Sequence, residues 1–142
     1  MRVSVLNGAN LNALDARNPE LYGGISLSEL ETRIYAWGRE LGLTVRCLQT
    51  NHECQCIDWC HEAYTSAGGR VVNPGAWTHY SYAIRDALEF APFPVVEVHL
   101  SDISVREEWR RTSVIEDVVT ARVLGRGPDG YREALAHLAE GS

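Results

Sequence analysis

The sequence contains no lysine; all 13 basic residues among its 142 positions are arginine. Chemistry that needs a Schiff-base lysine is therefore excluded, as is a phosphate-binding loop built around one. Apolar runs are far too short to cross a membrane, and the N-terminus lacks the basic, apolar and small-residue succession of a signal peptide. A cytoplasmic chain with no membrane partner is expected. The net charge of −6 argues against a nucleic-acid partner. Cysteine is scarce, at Cys47, Cys54, Cys56 and Cys60. With His52 and His61 nearby, C-x-C-x3-C-H invites a metal reading, but the spacing matches no paired-knuckle pattern. Small thiols buried in a reducing cytosol are the simpler reading, so no metal site is expected.

Hydrophobic residues make up 45% of the chain, enough for the core of one domain spanning residues 1–142. Short β-branched runs at Arg2–Leu6, Thr44–Leu48, Arg70–Asn73, Pro94–His99 and Thr120–Leu124 read as strands. Between them lie helical patterns. Ser26 and Glu29 have the spacing of a capping box ahead of Leu27, Leu30, Ile34, Trp37 and Leu41. Further helices are predicted over Glu53–Ala67, over His79–Phe90 with Ala83, Ala87 and Leu88 inward, and over Asp129–Glu140. Five alternations imply an α/β fold, a five-stranded parallel sheet with helices on both faces.

Ligands in such sheets bind beyond the carboxyl ends of the strands. Asn7–Tyr22, Gln49–Glu53, Asn73–His79 and His99–Arg111 follow four successive strands, and all four segments are polar. The first is the longest. It spends about twenty residues without an apolar period, and connections of that length usually serve as lids or linkers. Within it Arg17 precedes Tyr22 by five residues. A phenol ionises near ~10, and making one a base at pH ~7 takes roughly 4 kcal/mol of differential stabilisation. A guanidinium held against it supplies the right sign, so Arg17 and Tyr22 read as an activated base on a closing flap, about residues 12–24. Taken singly, each rim residue has a plainer reading. Asn10 or Asn73 suits a turn, Arg17 a solvated surface charge, His79 a helix cap and Glu97 a satisfied buried carboxylate.

Asn7-Gly-Ala-Asn-Leu-Asn12, Arg17-Asn-Pro-Glu-Leu-Tyr-Gly23 and Gln49-Thr-Asn-His-Glu53 together resemble the type II 3-dehydroquinate dehydratases. The resemblance continues through Asn73-Pro-Gly-Ala-Trp-Thr-His79, Arg85-Asp86, Glu97–Ile103 and Arg106–Arg110, and ends with Gly125-Arg-Gly and Gly130-Tyr131. It covers essentially the whole chain in order. It implies a flavodoxin-like fold, a homododecamer built from trimers, and cofactor-free anti elimination of water from 3-dehydroquinate through an enolate. The small molecule would be the only ligand. By the same resemblance Tyr22 is the base, Arg17 its activator, and Asn10 the holder of a water at the enolate oxygen. His99 is the acid, oriented by Glu97. Asn73, His79 and Arg110 read substrate hydroxyls, Leu100 and Ser101 receive the carboxylate, and Asp86 reaches a neighbouring subunit's site.

The chain departs from the family's usual residues at Ala9, Asn18, Cys54, Trp77, Asp102 and Ser104. Asp102 is expected beside the substrate's carboxylate, where its charge should weaken binding unless Arg106 or Arg110 neutralises it. That charge motivates a second reading, a paralogue in secondary metabolism that dehydrates an amino-substituted dehydroquinate. A third reading is a flavodoxin-like binding module without catalysis, although the single Gly8 among asparagines does not make a flavin phosphate cradle. A regulatory metal protein using the cysteines is a fourth, and it would leave the flap unexplained.

Overall fold

Adjacent valines of one strand serve opposite cores. In a computed structural model describing residues 1–141, Val71 packs with Leu30, Ile34, Tyr131 and Leu135, while Val72 packs with Cys56, Cys60, Ile84 and Leu88. The two-residue period of a strand makes this division, so a strand between two helical layers reads as continuously apolar. The sheet comprises β1 (Arg2–Asn7), β2 (Thr44–Gln49), β3 (Gly69–Asn73), β4 (Val95–His99) and β5 (Ala121–Leu124). All pairs are parallel, in the order β2-β1-β3-β4-β5. The helices are α1 (Pro19–Tyr22), α2 (Leu27–Glu40), α3 (Glu53–Ser66), α4 (Tyr82–Glu89) and α5 (Asp129–Glu140). α2 and α5 cover one face, α3 and α4 the other. This is the flavodoxin-like order, whose connections diverge between β1 and β3 and open a crevice at their carboxyl ends.

Several expected boundaries shift for local reasons. The helix expected over His79–Phe90 is two elements: a 3-10 turn at Gly75–His79, then α4, which starts where the Ser81 hydroxyl accepts from the Ile84 N–H at 3.1 Å. The break rotates the helix, so Ile84 rather than Ala83 joins Ala87 and Leu88 in the core, and Ala83 is exposed. β4 begins at Val95, because Pro94 cannot donate to the ladder, although its carbonyl accepts from Arg70. Ser26 caps α2 by accepting from the Glu29 N–H at 3.1 Å, and its hydroxyl donates to the Glu29 carboxylate.

The long first connection is the largest difference. Leu11 and Leu14 lie in a 3-10 helix at Leu11–Ala16 and are buried in the core beneath α2 and α5. Asn18 then caps α1, accepting from the Glu20 N–H at 3.0 Å. The segment is therefore anchored at its start and folded at its end. A three-residue apolar interval in a tight helix has no amphipathic period to detect.

Candidate active site

The crevice is closed on one side by two backbones in close approach. A Cβ on Gly8 would sit 2.6 Å from the Pro74 carbonyl oxygen, and one on Gly75 2.7 Å from that of Ala9. Gly75 also has φ 62°, a left-handed conformation that glycine adopts without strain. These contacts bring the β1 and β3 loops together, and the loop after β4 completes the cavity. Its lining includes Asn10, Arg17 and Tyr22 from the first loop, Asn73 and His79 from the second, and His99, Leu100, Ser101, Arg106 and Arg110 from the third. The polar segment after β2 does not line it. Gln49 instead donates to the Gly8 carbonyl and to Asn51, which accepts from the Asn10 N–H at 2.8 Å and donates to Asn12 at 3.1 Å. Four polar strand ends were expected on the rim; three form it and the fourth braces it from behind.

Tyr22 carries two cations. Arg17 Nη2 donates to its Oη at 2.6 Å, and Arg106 Nη1 donates to the same oxygen at 2.7 Å. The Arg17 guanidinium also lies 3.9 Å from the ring centroid. Two guanidinium groups thus donate to one phenol oxygen. The sequence showed only the first of them. Arg106 is 84 positions away and comes from the third loop, so only the fold could pair it with Tyr22. It also donates to the Ser101 hydroxyl at 3.2 Å.

His99 meets Glu97 through its Nε2, 2.6 Å from Oε2. The carboxylate is fully buried and accepts three strong bonds, from His99, from Thr78 Oγ1 at 2.5 Å and from Arg122 Nε at 2.8 Å. Burial alone would push the Glu97 carboxyl up. The bond from His99, then Thr78 and the Arg122 charge, outweigh it and hold the group below its usual 4.5. Thr78 and Arg122 were not singled out in the sequence. The family resemblance pairs Glu97 with His99, two residues apart on β4, but nothing local marks a partner on β5.

The remaining residues divide. Leu100 and Ser101 lie on the cavity as expected. His79 is held by a 2.7 Å contact from Nδ1 to the Thr112 carbonyl, with its ring 6.5 Å from that of His99. Burial, with the nearby charges of His99 and Arg110, lowers its basicity against the opposing effect of that carbonyl. Arg110 lines the cavity while pairing with Glu107 at 2.7 Å and lying over Trp109. Asn73 lines it too, yet its amide donates to Tyr131 Oη at 3.0 Å and accepts from the Gly75 N–H at 3.1 Å. Asp86 is exposed on α4 and does not line this chain's cavity. Asp102 does not line the cavity; it accepts from the backbone and hydroxyl of Ser104 as cap of the 3-10 turn Ile103–Val105, and Arg106 and Arg110 pair with Tyr22 and Glu107 and not with it.

A family model described as dehydroquinase class II matches residues 1–139. The chain belongs to that family. It is 51% identical to the 3-dehydroquinate dehydratase of Thermus thermophilus over 139 residues, covering 97% of this chain and 93% of that protein. Identity to the 3-dehydroquinate dehydratase of Halalkalibacterium halodurans is 46% over 139 residues, 98% and 96% of the two chains. Among solved structures, a type II dehydroquinase from Butyrivibrio crossotus superposes with a TM-score of 0.95 at 42% identity, covering 97% of each chain. Set within the dehydroquinase fold, the departures fall mostly on supports. Trp77 is buried in the core beside Leu6 and Ile84, and Asn18 caps α1. Cys54 is exposed whereas Cys56 and Cys60 are buried, so these three thiols share no face. Among the described residues no group of three His, Cys, Asp or Glu side chains is arranged around a common metal position, and no helix is long and apolar enough to cross a membrane.

Proposed function

We propose that this chain is a 3-dehydroquinate dehydratase, a hydro-lyase that forms 3-dehydroshikimate by anti elimination. The observation that carries the reading is the phenol of Tyr22 under two guanidinium groups, in the same cavity as His99 and its buried carboxylate. A base for a weakly acidic carbon proton and an acid for a poor leaving group are the two requirements of this elimination. The Tyr22 phenolate takes the proton beside the ketone, and the electrons of that C–H bond pass into an enolate. As the enolate collapses, the C1–O bond breaks. His99 delivers the proton that lets the hydroxyl depart as water, and the new C=C bond is conjugated with the ketone. Asn10 positions a water at the enolate oxygen, where charge exists only after proton removal. His79, Arg110 and Asn73 face the substrate's hydroxyls, and Leu100 and Ser101 its carboxylate.

Support for plain dehydroquinate over an amino analogue comes from Asp102, whose carboxylate is occupied by Ser104. We further propose that the enzyme works in the cytoplasm as a homododecamer of trimers, with Asp86 of one copy reaching its neighbour's cavity. Mixing the purified protein with 3-dehydroquinate should produce the ultraviolet absorbance of a conjugated enone. Tyr22→Phe should lower kcat by about three orders of magnitude with KM nearly unchanged, since only the base is lost. Near-normal turnover in that variant would remove the assignment.

A further inference from the structure

We infer that Arg122, outside the cavity on β5, is a positioning residue that sets the acid strength of His99 through Glu97. The inference rests on the dehydratase reading above. The carboxylate of Glu97 is divided between two partners, with Oε2 meeting His99 at 2.6 Å and Oε1 meeting Arg122 at 2.8 Å. Arg122 therefore competes with the imidazolium for one buried charge. A fully buried carboxylate with no other counter-ion would bind the imidazolium tightly and make it a reluctant acid. With Arg122 in place, the carboxylate still fixes the ring but holds its proton less strongly. Acid strength and ring orientation are thereby separated.

Other groups around the pair do not substitute for it. Thr78 and Ser113 face Glu97 with hydroxyls, which carry no charge. On the cavity side His99 faces His79, with Arg110 beyond it, and the lining also holds Tyr22, Arg17 and Arg106. On the outer side Arg122 Nη1 donates to Glu116 at 3.1 Å, so the guanidinium charge is shared with a second carboxylate. Arg122 thus bridges a buried and an exposed carboxylate, and opposite shifts are expected when either end is altered.

The test is the pH dependence of kcat with 3-dehydroquinate for the wild type, Arg122→Gln, Arg122→Lys and Glu116→Gln. In Arg122→Gln the limb governed by the acid should move up by about one unit, the low end of the range for one neighbouring charge. Turnover at neutral pH should fall roughly tenfold while KM stays within about twofold. Exchange of the substrate's α-proton with deuterated solvent should keep its wild-type rate, because that step uses Tyr22. Lysine should restore most of the profile. Glu116→Gln, an exposed substitution that leaves the core intact, should move the limb slightly downward and tests the idea even if the glutamine variant does not fold. Profiles that superpose on the wild type, or loss of exchange together with turnover, would overturn it. A wild type inactive on 3-dehydroquinate would instead overturn the dehydratase reading itself.

Discussion

Two charged side chains are buried on the same face of the sheet, two register positions apart, and they are treated differently. Glu97, midway along β4, is fully buried and meets a guanidinium, an imidazole and a hydroxyl. Arg70, at the start of β3, is 1% exposed and meets no carboxylate among the described residues. Its partners are the Cys60 sulfur at 2.9 Å, the Ser4 hydroxyl at 3.0 Å and the Trp59 carbonyl at 3.2 Å, and among the described residues its Nε has none. An ion transferred to the interior costs several kcal/mol unless paired. Arginine cannot shed its proton, so the neighbour has to adjust. The Cys60 thiol does so. A hydrogen bond from Cys56 lowers its pKa to about 7 against the effect of burial, and the Arg70 charge adds to the lowering. A compensated buried charge next to the cavity can act on a substrate. An undercompensated one, walled in by thiols, is a cost to the fold.

The largest break in this contrast should come from Glu97→Gln. It removes the anion from between two cations, and kcat should fall by about 10²–10⁴. Because Arg122 and His99 lose their common partner, stability should fall by roughly 3–5 kcal/mol, read from denaturant unfolding. The wild-type carboxylate has a folded pKa below its ordinary 4.5, so its stabilisation is full above that value and is lost as the pH falls through the lower one. Wild type and Glu97→Gln should therefore converge in stability on acidification, and curves that stay parallel would contradict the depressed carboxyl.

Arg70→Met should act in the other direction. An apolar chain of similar length removes the undercompensated charge, and unfolding free energy should rise by about 1–2 kcal/mol with kcat unchanged. A marked loss of stability would show that the cysteine cluster compensates the guanidinium fully. The smallest effect is expected for Cys60→Ser. The wild-type thiol is ionised more readily when folded, so its contribution is fully present above the ordinary thiol value of 9.0 and is lost as the pH falls through about 7. Wild-type stability should gain on Cys60→Ser between pH 7 and 9, and a constant gap across that interval would show that Cys60 does not ionise there.

The distinction between the two charges could not be read from the chain. Arg70 sits in an apolar strand, where a surface edge would be the usual inference, and Arg122 resembles any charged residue of a terminal strand. The cysteine spacing raised metal binding as one reading, whereas the fold turns Cys56 and Cys60 inward toward an arginine and leaves Cys54 outside. Asp102 likewise seemed placed to meet substrate, until a local cap to Ser104 accounted for it.

Strand and helix alternation, the end of the sheet that carries the cavity, and the pairing of Arg17 with Tyr22 were determined by sequence alone, because each depends on periodicity or on a separation of a few residues. The second cation on Tyr22, the second cation on Glu97 and the fate of Arg70 were decided only by tertiary structure. Each joins residues between 10 and 84 positions apart, and charges interact through space, over distances that only the folded backbone sets.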